Sequence, residues 1–587
     1  MHTESVSRQT VPELDTRESN SSLRRGELLA LAGLLLCTAL TYISTFRFGW
    51  VYDDVPQIPQ NHNLQWNHLG FLFTHQLWAS AAGTGGRFYR PLLTLWFLVN
   101  KSLFGLNPHW FHITTVLAHV TAAALAFVVA HALLKHTGAA LFATAIFAFH
   151  PLQAESASWI SSVNDSLAAA FCFASFLAYR KARSMLHDRT TWFALAGFCF
   201  LLALFTKEVS MILPGIILID LWSDAANSRS ASPPRNFLVP AISTYGLVAI
   251  FWLGLRAWVI GDSTGTNSSS PSSAYLLSVP KIVVFNLYRV VLPLHLSPHY
   301  DFRLIESPWS PQFPLTVLAL VGLAWLAVVV VRRDPSLSVA IAWLILPMLP
   351  TLNLRWMNQD DFIHDRYLYM SVLGTALLAG SAYDRIRKRW PKQQLVRPLA
   401  ASLTVVLAFA SAIQSQYWAN DVVLFSHAVA VAPNNEWAQL NYGSALSARG
   451  RYAEAAPHFV QSYELKAGGR AADFAGFAYQ QSGNLLEAER WFMTALQQDP
   501  VLANAWFGLA QIRLMQRLPQ EAIPYLEKAL EIEPSADGYH YEMGTALEQL
   551  AQNSAAIEQY KRELELHPYQ TGARKALERL QAPLTRR

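Results

Sequence analysis

Long apolar blocks separated by short polar breaks fill the chain up to about residue 415, and a polar, alanine-rich, periodic segment follows. The first apolar run covers residues 28–46. At about 1.5 Å per residue it is long enough for a helix to cross a hydrocarbon core of about 30 Å. A polar and aromatic stretch, 47–90, comes next, and then a short run, 91–104, read as interfacial or re-entrant. Further runs lie at 109–134, 139–149, 166–179, 192–205, 209–222, 237–260, 281–294, 315–331, 339–352, 368–382 and 399–412. The pattern predicts an all-α protein whose first part is a polytopic transmembrane bundle.

Basic residues orient such a bundle, because they collect on the cytosolic side. The clusters are Lys135; Arg180, Lys181, Arg183 and Arg189; Arg229 and Arg235; Arg332 and Arg333; and Arg385, Arg387, Lys388, Arg389, Lys392 and Arg397. If 281–294 does not span, all of them fall on one side, with about 11 spans. The N-terminus is then cytosolic and the C-terminal segment lies outside. The outer loops would hold Asp53 and Asp54, residues 150–165, Lys207 and Glu208, the serine-rich 261–273, Tyr300-Asp301-Phe302, and 353–369. The unusual charged residues therefore share one side too.

Several runs are short for a full crossing. The stretch 192–222 is interrupted only by Lys207-Glu208, yet basic loops flank both of its ends. Each half, at about 15 residues, reaches only about 23 Å. The turn at Thr206-Lys207-Glu208 is therefore expected below the membrane surface. Residues 139–149, ending at His150-Pro151, are shorter still. Ionisable turns at that depth persist inside protein or beside a water-filled cavity. The expectation is an outward-facing cavity lined with acids and bases.

The last part is a helical repeat. Pro500, Pro534 and Pro568 are 34 residues apart, and Ala455, Ala488, Ala522 and Ala556 recur every 33 or 34. Gly443, Gly476 and Gly544 hold one small-residue position, with Ala510 in the slot between. Small residues let paired helices approach, and proline ends the second helix of each unit. The period is that of the tetratricopeptide repeat. The expected organisation is a disordered tail (1–25), a membrane domain (26–415), a connecting helix or partial repeat (416–433), about four repeats (434–568) and a basic cap (569–587).

Composition agrees with this division. Apolar residues make up 52% of the chain and charged ones 14%, a balance suited to a polytopic membrane protein and unlike that of a soluble enzyme. The three cysteines, Cys37, Cys172 and Cys199, all lie in apolar runs and suggest neither a disulfide framework nor a metal site. There is no glycine-rich phosphate loop, dinucleotide fingerprint or metal-ligand cluster. The basic loops adjoin membrane helices and read as topology signals rather than nucleic-acid patches.

The chemistry-bearing pieces are Val51-Tyr52-Asp53-Asp54; Tyr89-Arg90-Pro91-Leu92-Leu93; His150-Pro151-Leu152-Gln153-Ala154-Glu155-Ser156-Ala157-Ser158-Trp159-Ile160-Ser161; Thr206-Lys207-Glu208; and Asp365-Arg366-Tyr367-Leu368-Tyr369. In this order, with the repeats behind them, they resemble the GT-C superfamily of membrane glycosyltransferases. Within it they resemble the transmembrane and tetratricopeptide-repeat proteins that O-mannosylate proteins in the eukaryotic secretory pathway. Asn164-Asp165 departs from the pattern, since relatives often carry a basic residue before the acid. The hydrophilic loops and N-terminal tail look bacterial, which points to a bacterial inner membrane.

The resemblance implies a sugar carried on a polyprenyl phosphate and transferred on the outer face to an acceptor hydroxyl, Ser or Thr of a protein being the first candidate and mannose the first sugar. It places Asp53 as the base that deprotonates the acceptor. Asp54 would orient the acceptor, tune Asp53 or bind a divalent cation; an Asp pair also caps helices. No cofactor is required beyond that possible cation. Arg366 suits the donor phosphate, since guanidinium pairs phosphate oxygens bidentately, with Lys207 and Arg90 as alternates. The bland alternative is internal pairing, Lys207 with Glu208 or Glu155 and Arg366 with Asp365. Glu155 binds acceptor or holds Lys207. His150 supports the site or ends a helix before Pro151. Asp165 caps the next helix, Tyr367 supports the site, and His364 with Asp360-Asp361 reads as a solvated loop. Tyr52 and Trp50 stack on sugar or sit at the interface. The repeats would bind a protein acceptor or partner. Two other readings stay open: an enzyme acting on a lipid or envelope polysaccharide, and a non-catalytic membrane-anchored scaffold.

Overall fold

The structure, a computed structural model, describes residues 24–79, 88–185, 188–228, 235–261, 272–352, 362–389 and 394–581. The N-terminal tail, Gly83 to Gly86, Arg229, most of the serine-rich 261–273 segment, Asp360-Asp361, Lys392 and the extreme C-terminus lie outside the described residues. Those described form helices, turns and loops. In chain order the helices are α1 (Arg25–Thr41), α2 (Asp54–Gln57), α3 (Leu69–Thr74), α4 (Pro91–Phe104), α5 (Pro108–Leu134), α6 (Thr137–Phe149), α7 (Ala154–Ser158), α8 (Val163–Ser184) and α9 (Arg189–Thr206). Then come α10 (Leu213–Ser228), α11 (Arg235–Ile260), α12 (Ser272–Val291), α13 (Gln312–Arg333), α14 (Leu337–Ile345), α15 (Ser371–Arg389) and α16 (Val396–Gln416). A lone helix, α17 (Asp421–Val431), precedes the repeats.

Eight helices among the described residues are long and apolar enough to cross a membrane. The remaining apolar elements are shorter, including Pro91–Phe104, Thr137–Phe149 and Leu337–Leu352. The stretch Ser273–Val291 is one of the eight. Length and composition alone admit it, whereas the charge pattern leaves 281–294 as a non-span; the end of α12 lies beside the site loops, where Arg289 pairs with Asp365 and the Val290 carbonyl faces His150. On α13 no residue is buried, and Leu315, Leu318, Val321 and Trp325 are exposed. On α16 Leu399, Val405, Val406 and Phe409 are exposed too. Such faces suit lipid, where only the helical backbone needs its own hydrogen bonds.

The bundle core gathers side chains of α5, α6, α8, α9, α10, α11, α14 and α15 around Phe147, Phe173, Phe176 and Trp343. Here α6 stops well inside the protein, and its last carbonyls need donors. Side chains from three other segments supply them. Gln153 donates to the Phe147 carbonyl (3.1 Å), His119 Nε2 to that of Ala148 (3.1 Å) and Ser411 to that of Phe149 (2.8 Å). The other His119 nitrogen faces the Tyr369 hydroxyl at 2.7 Å. A helix broken at depth is thus sealed, and the loop after it is free to carry polar residues.

The basic clusters meet at one end of the bundle. Arg180 pairs with Asp220 (2.5 Å), Arg385 with Asp334, and Asp384 with Arg387, Lys388 and His136. Three of the chemistry-bearing pieces, at 150–161, 206–208 and 365–369, lie at the opposite ends of these helices.

Behind α17 stand four helix pairs: α18 (Glu436–Ser447) with α19 (Tyr452–Leu465), α20 (Gly469–Gln481) with α21 (Leu485–Gln498), α22 (Ala503–Met515) with α23 (Pro519–Ile532), and α24 (Tyr539–Gln549) with α25 (Asn553–Leu566). A last helix, α26 (Thr571–Gln581), covers the end. The small-residue slot has a matching partner. A Cβ added to Gly443 would sit 2.7 Å from the Phe459 ring, one on Gly476 2.6 Å from Phe492, and one on Gly544 2.6 Å from Tyr560. In the third pair the slot holds Ala510, and its counterpart shrinks to Leu526 in the same apolar cluster. Volume is kept by exchanging Gly with an aromatic for Ala with Leu.

That exchange is testable. Gly476→Ala is expected to destabilise the repeats by about 1–3 kcal/mol through overpacking. Adding Phe492→Leu is expected to recover part of the loss, which thermal unfolding of the two variants measures.

Candidate active site

The site is built from segments far apart in sequence: the turn before α2, the loop 150–162, the start of α8, the turn between α9 and α10, and the short helical turn Asp365–Leu368. Each carries charge into a crowded region, and each charge is met by one from another segment.

Asp54 fixes the first segment. It is fully buried. One carboxylate oxygen accepts the Val51 N–H (3.0 Å); the other accepts the Ser161 N–H (2.8 Å) and hydroxyl (2.6 Å). Burial pushes this carboxyl up to about 7, against the pull of the Ser161 and Val51 donors. Trp159 reinforces the join, its indole N–H donating to the Val51 carbonyl (3.1 Å) and its ring stacking on Tyr52. The turn Val51–Asp54 is thus bolted to the loop 159–161, and Asp53, half-buried, sits at its bend. Both Asp54 oxygens are thus engaged by protein donors. Among the described residues, Asp537, Glu563 and His567 in the repeats form a group that could hold a metal ion.

Glu155 takes hold of Arg366. One oxygen accepts the Arg366 backbone N–H (3.0 Å) and the other meets Nη1 (2.5 Å). The guanidinium carbon lies 5.1 Å from the Trp159 ring centre and 5.2 Å from that of Tyr367. So Trp159 touches both the turn that presents Asp53 and the cation Arg366. The expected partner of Arg366, Asp365, is engaged elsewhere. Asp365 binds Arg289 (2.6 Å) and the Tyr300 hydroxyl (2.6 Å), and burial raises its carboxyl although Arg289 opposes the shift.

Lys207 binds Asp165 at 2.6 Å, not Glu208 or Glu155, and both partners are almost wholly buried. Asp165, in the first turn of α8, also accepts from the Ser162 hydroxyl (3.2 Å). Glu208 turns to Arg90, whose Nε and Nη2 reach it at 3.0 and 2.9 Å. Lys207 lies 5.5 Å from the Tyr367 ring centre and feels the charges of Arg90 and Arg366. Three cations and Tyr367 therefore share one neighbourhood. His150 is buried and serves structure: Nδ1 accepts the Leu152 N–H (3.3 Å) and Nε2 faces the Val290 carbonyl (3.0 Å). His364 is likewise buried, with Nδ1 3.0 Å from the Pro298 carbonyl, rather than part of a solvated loop. Trp50 packs edge-on against Phe111.

Arg289, Tyr300 and the bracing roles of Trp159 and Ser161 were not singled out from sequence. Arg289 had a signal: a lone arginine in an apolar run is costly unless a buried acid answers it.

Against known proteins, residues 503–535 match the tetratricopeptide repeat. Protein O-mannosyl-transferase TMTC4 of Mus musculus is 26% identical over 492 residues, covering 72% of this chain and 64% of its own length. Protein O-mannosyl-transferase TMTC1 of Homo sapiens is 25% identical over 503 residues, covering 76% and 56%. The chain resembles the TMTC O-mannosyl-transferases. It spans 56–64% of the length of these curated relatives. Among solved structures, the Archaeoglobus fulgidus oligosaccharyltransferase tethered to an acceptor peptide aligns over 82% of this chain and 72% of its own, at 11% identity and a TM-score of 0.40, too distant to carry a functional argument.

Asp54→Ala removes the acceptor from three donors at once. Each buried donor left unpaired costs about 1–3 kcal/mol. The variant is expected to melt several degrees lower than the parent in detergent, whereas Asp53→Ala, which leaves the bracket intact, is expected to melt close to it.

Proposed function

We propose that this protein is a membrane glycosyltransferase of GT-C type that moves a sugar from a polyprenyl-phosphate carrier to an acceptor hydroxyl. The observation that carries the reading is the Trp159 junction: one indole contacts the turn bearing Asp53 and the guanidinium of Arg366. A base and a phosphate-binding cation held on one brace are what such a transfer needs. The likeness to O-mannosyl-transferases over most of the chain supports mannose as the sugar and Ser or Thr of a protein as the acceptor.

In the proposed reaction the acceptor hydroxyl gives its proton to Asp53 as its oxygen bonds to the anomeric carbon. The bond from that carbon to the phosphate oxygen breaks, and the carrier leaves as polyprenyl phosphate. Arg366 meets the charge that develops there, with Lys207 and Arg90 adding positive potential nearby. Glu155 keeps Arg366 in place, so its contribution is positional. Attack from the face opposite the leaving phosphate inverts the anomeric centre.

We assign residues 26–415 to the transferase, 416–433 to a connector and 434–568 to repeats that receive a protein acceptor or partner. The gathering of basic clusters at the bundle end away from the site supports a cytosolic N-terminus and a site facing the periplasm or lumen; a bacterial inner membrane is the proposed location.

With purified protein and mannosyl-phosphoryl-polyprenol, Asp53→Asn is expected to lose about a hundredfold or more in kcat, the scale of losing a general base. Arg366→Ala is expected to lower kcat/KM for the donor comparably. Full activity of Asp53→Asn would refute the assignment of the base. Transfer to glycan or lipid but to no protein, scored by mass spectrometry of glycopeptides and envelope glycans, would move the acceptor to that class.

A further inference from the structure

Tyr52, next to Asp53, has φ of 54°, the left-handed region that residues with a side chain rarely occupy. Such a conformation persists when surrounding contacts hold it. Asp54 and Trp159 hold its flanks, but the Tyr52 N–H itself goes elsewhere. It donates to Asp421 Oδ1 at 2.8 Å, across 369 residues of sequence.

Asp421 is the first residue of α17. An acid there ordinarily serves its own helix, by capping or through the helix dipole. Here Asn420 is the cap and takes the Val423 N–H at 3.2 Å, so the Asp421 carboxylate is available to reach across. Two rings accompany it. Trp418 stacks on Trp159 with centres 5.2 Å apart, and Phe425 meets Tyr52 edge-on at 5.3 Å. Phe48, Val51, Trp159, Trp418, Leu424 and Phe425 form one apolar cluster spanning both parts of the chain.

A second set of contacts reaches the phosphate side. Asn435 donates to the Tyr300 carbonyl (3.0 Å), and the Tyr300 hydroxyl donates to Asp365, the neighbour of Arg366. Asn434 bonds Asp301, and His299 stacks on Phe425.

We infer that α17 belongs to the frame of the active site, with Asp421 a positioning residue that holds the Tyr52–Asp53 turn in its left-handed bend through the Tyr52 N–H. The inference rests on the proposed role of Asp53. It assigns the connector helix to catalysis by the membrane domain, apart from any partner the repeats receive.

The test uses the full-length protein in three forms: Asp421→Ala, which removes the acceptor; Asp421→Asn, which keeps a side-chain oxygen for the Tyr52 N–H; and Asp53→Asn. Misplacing a reacting group by about 1 Å can cost about a hundredfold. Asp421→Ala is therefore expected to lower kcat by roughly tenfold to a hundredfold while KM for the lipid-linked donor and the melting temperature stay near the parent's. Asp421→Asn is expected to restore most of kcat. Independently of activity, hydrogen–deuterium exchange at the Tyr52 amide is expected to speed up in Asp421→Ala and not in Asp421→Asn. Unchanged kcat and unchanged Tyr52 exchange in Asp421→Ala would overturn the inference, as would equal impairment of the Ala and Asn forms. If Asp421→Ala is harmless while Asp53→Asn is inactive, only the positioning role fails. If Asp53→Asn is fully active, the base assignment fails whatever Asp421 does, and the exchange measurement still decides what Asp421 holds.

Discussion

A charge taken out of water must be answered by another charge or by well-aimed hydrogen bonds, and this site is organised by that constraint. Four ion pairs meet it: Glu155 with Arg366, Asp165 with Lys207, Glu208 with Arg90, and Asp365 with Arg289. Each joins segments distant in sequence, so each pair also fixes how two turns stand relative to one another. Breaking one leaves an uncompensated charge, which makes the arrangement intolerant of piecemeal change. The same pairing sets the chemistry that is proposed. An arginine gripped through both its backbone N–H and its guanidinium is pre-aimed, and pre-aimed charge is what stabilises a leaving phosphate without reorganisation.

The helical class, the existence of a repeat array and the set of loops that meet were legible in the sequence. The reasons are periodic ones. Apolar blocks and a 33–34 residue spacing of Ala, Gly and Pro survive any uncertainty about how helices pack. The partners within the site were not legible. As the alternative to phosphate binding, the sequence offered Lys207 paired with its neighbour Glu208 or with Glu155, and Arg366 paired with its neighbour Asp365. The actual partners come from other helices, because adjacent charges on a tight turn point apart, whereas bundle packing brings remote ones face to face. Asp54 shows the same limit: the three donors that hold it, two of them from Ser161, could not be read from its place beside Asp53. Arg289 went unnoticed for a different reason. Its partner Asp365 lies 76 residues further along the chain, so nothing near it in sequence marks the pair.

The repeats divide into two kinds of surface. From α18 onward the pairs are held by the exchange of small and large residues in the slot where helices cross, a device internal to the array. Before α18, α17 has Tyr52 and His299 as partners in the membrane half, and Trp418 just ahead of it has Trp159. The boundary that composition draws near residue 415 is therefore not where physical dependence changes. Trp418 lies on the polar side of that boundary while its ring lies against the loop of the site.

The Tyr52–Trp159–Trp418 ring stack has a consequence for how such proteins diversify. Arrays of repeats lengthen, shorten and exchange readily, since each unit answers mainly to its neighbours. Here the freedom begins only after α18, whose cap Asn435 and whose Asn441 also bond the 299–300 loop. A recombination joint placed at Trp418 would deliver a foreign helix to the Tyr52 turn, whereas a joint placed within the later pairs would leave the three rings together. The far end of the array is thus free to change unit by unit, whereas its near end is tied to the membrane domain.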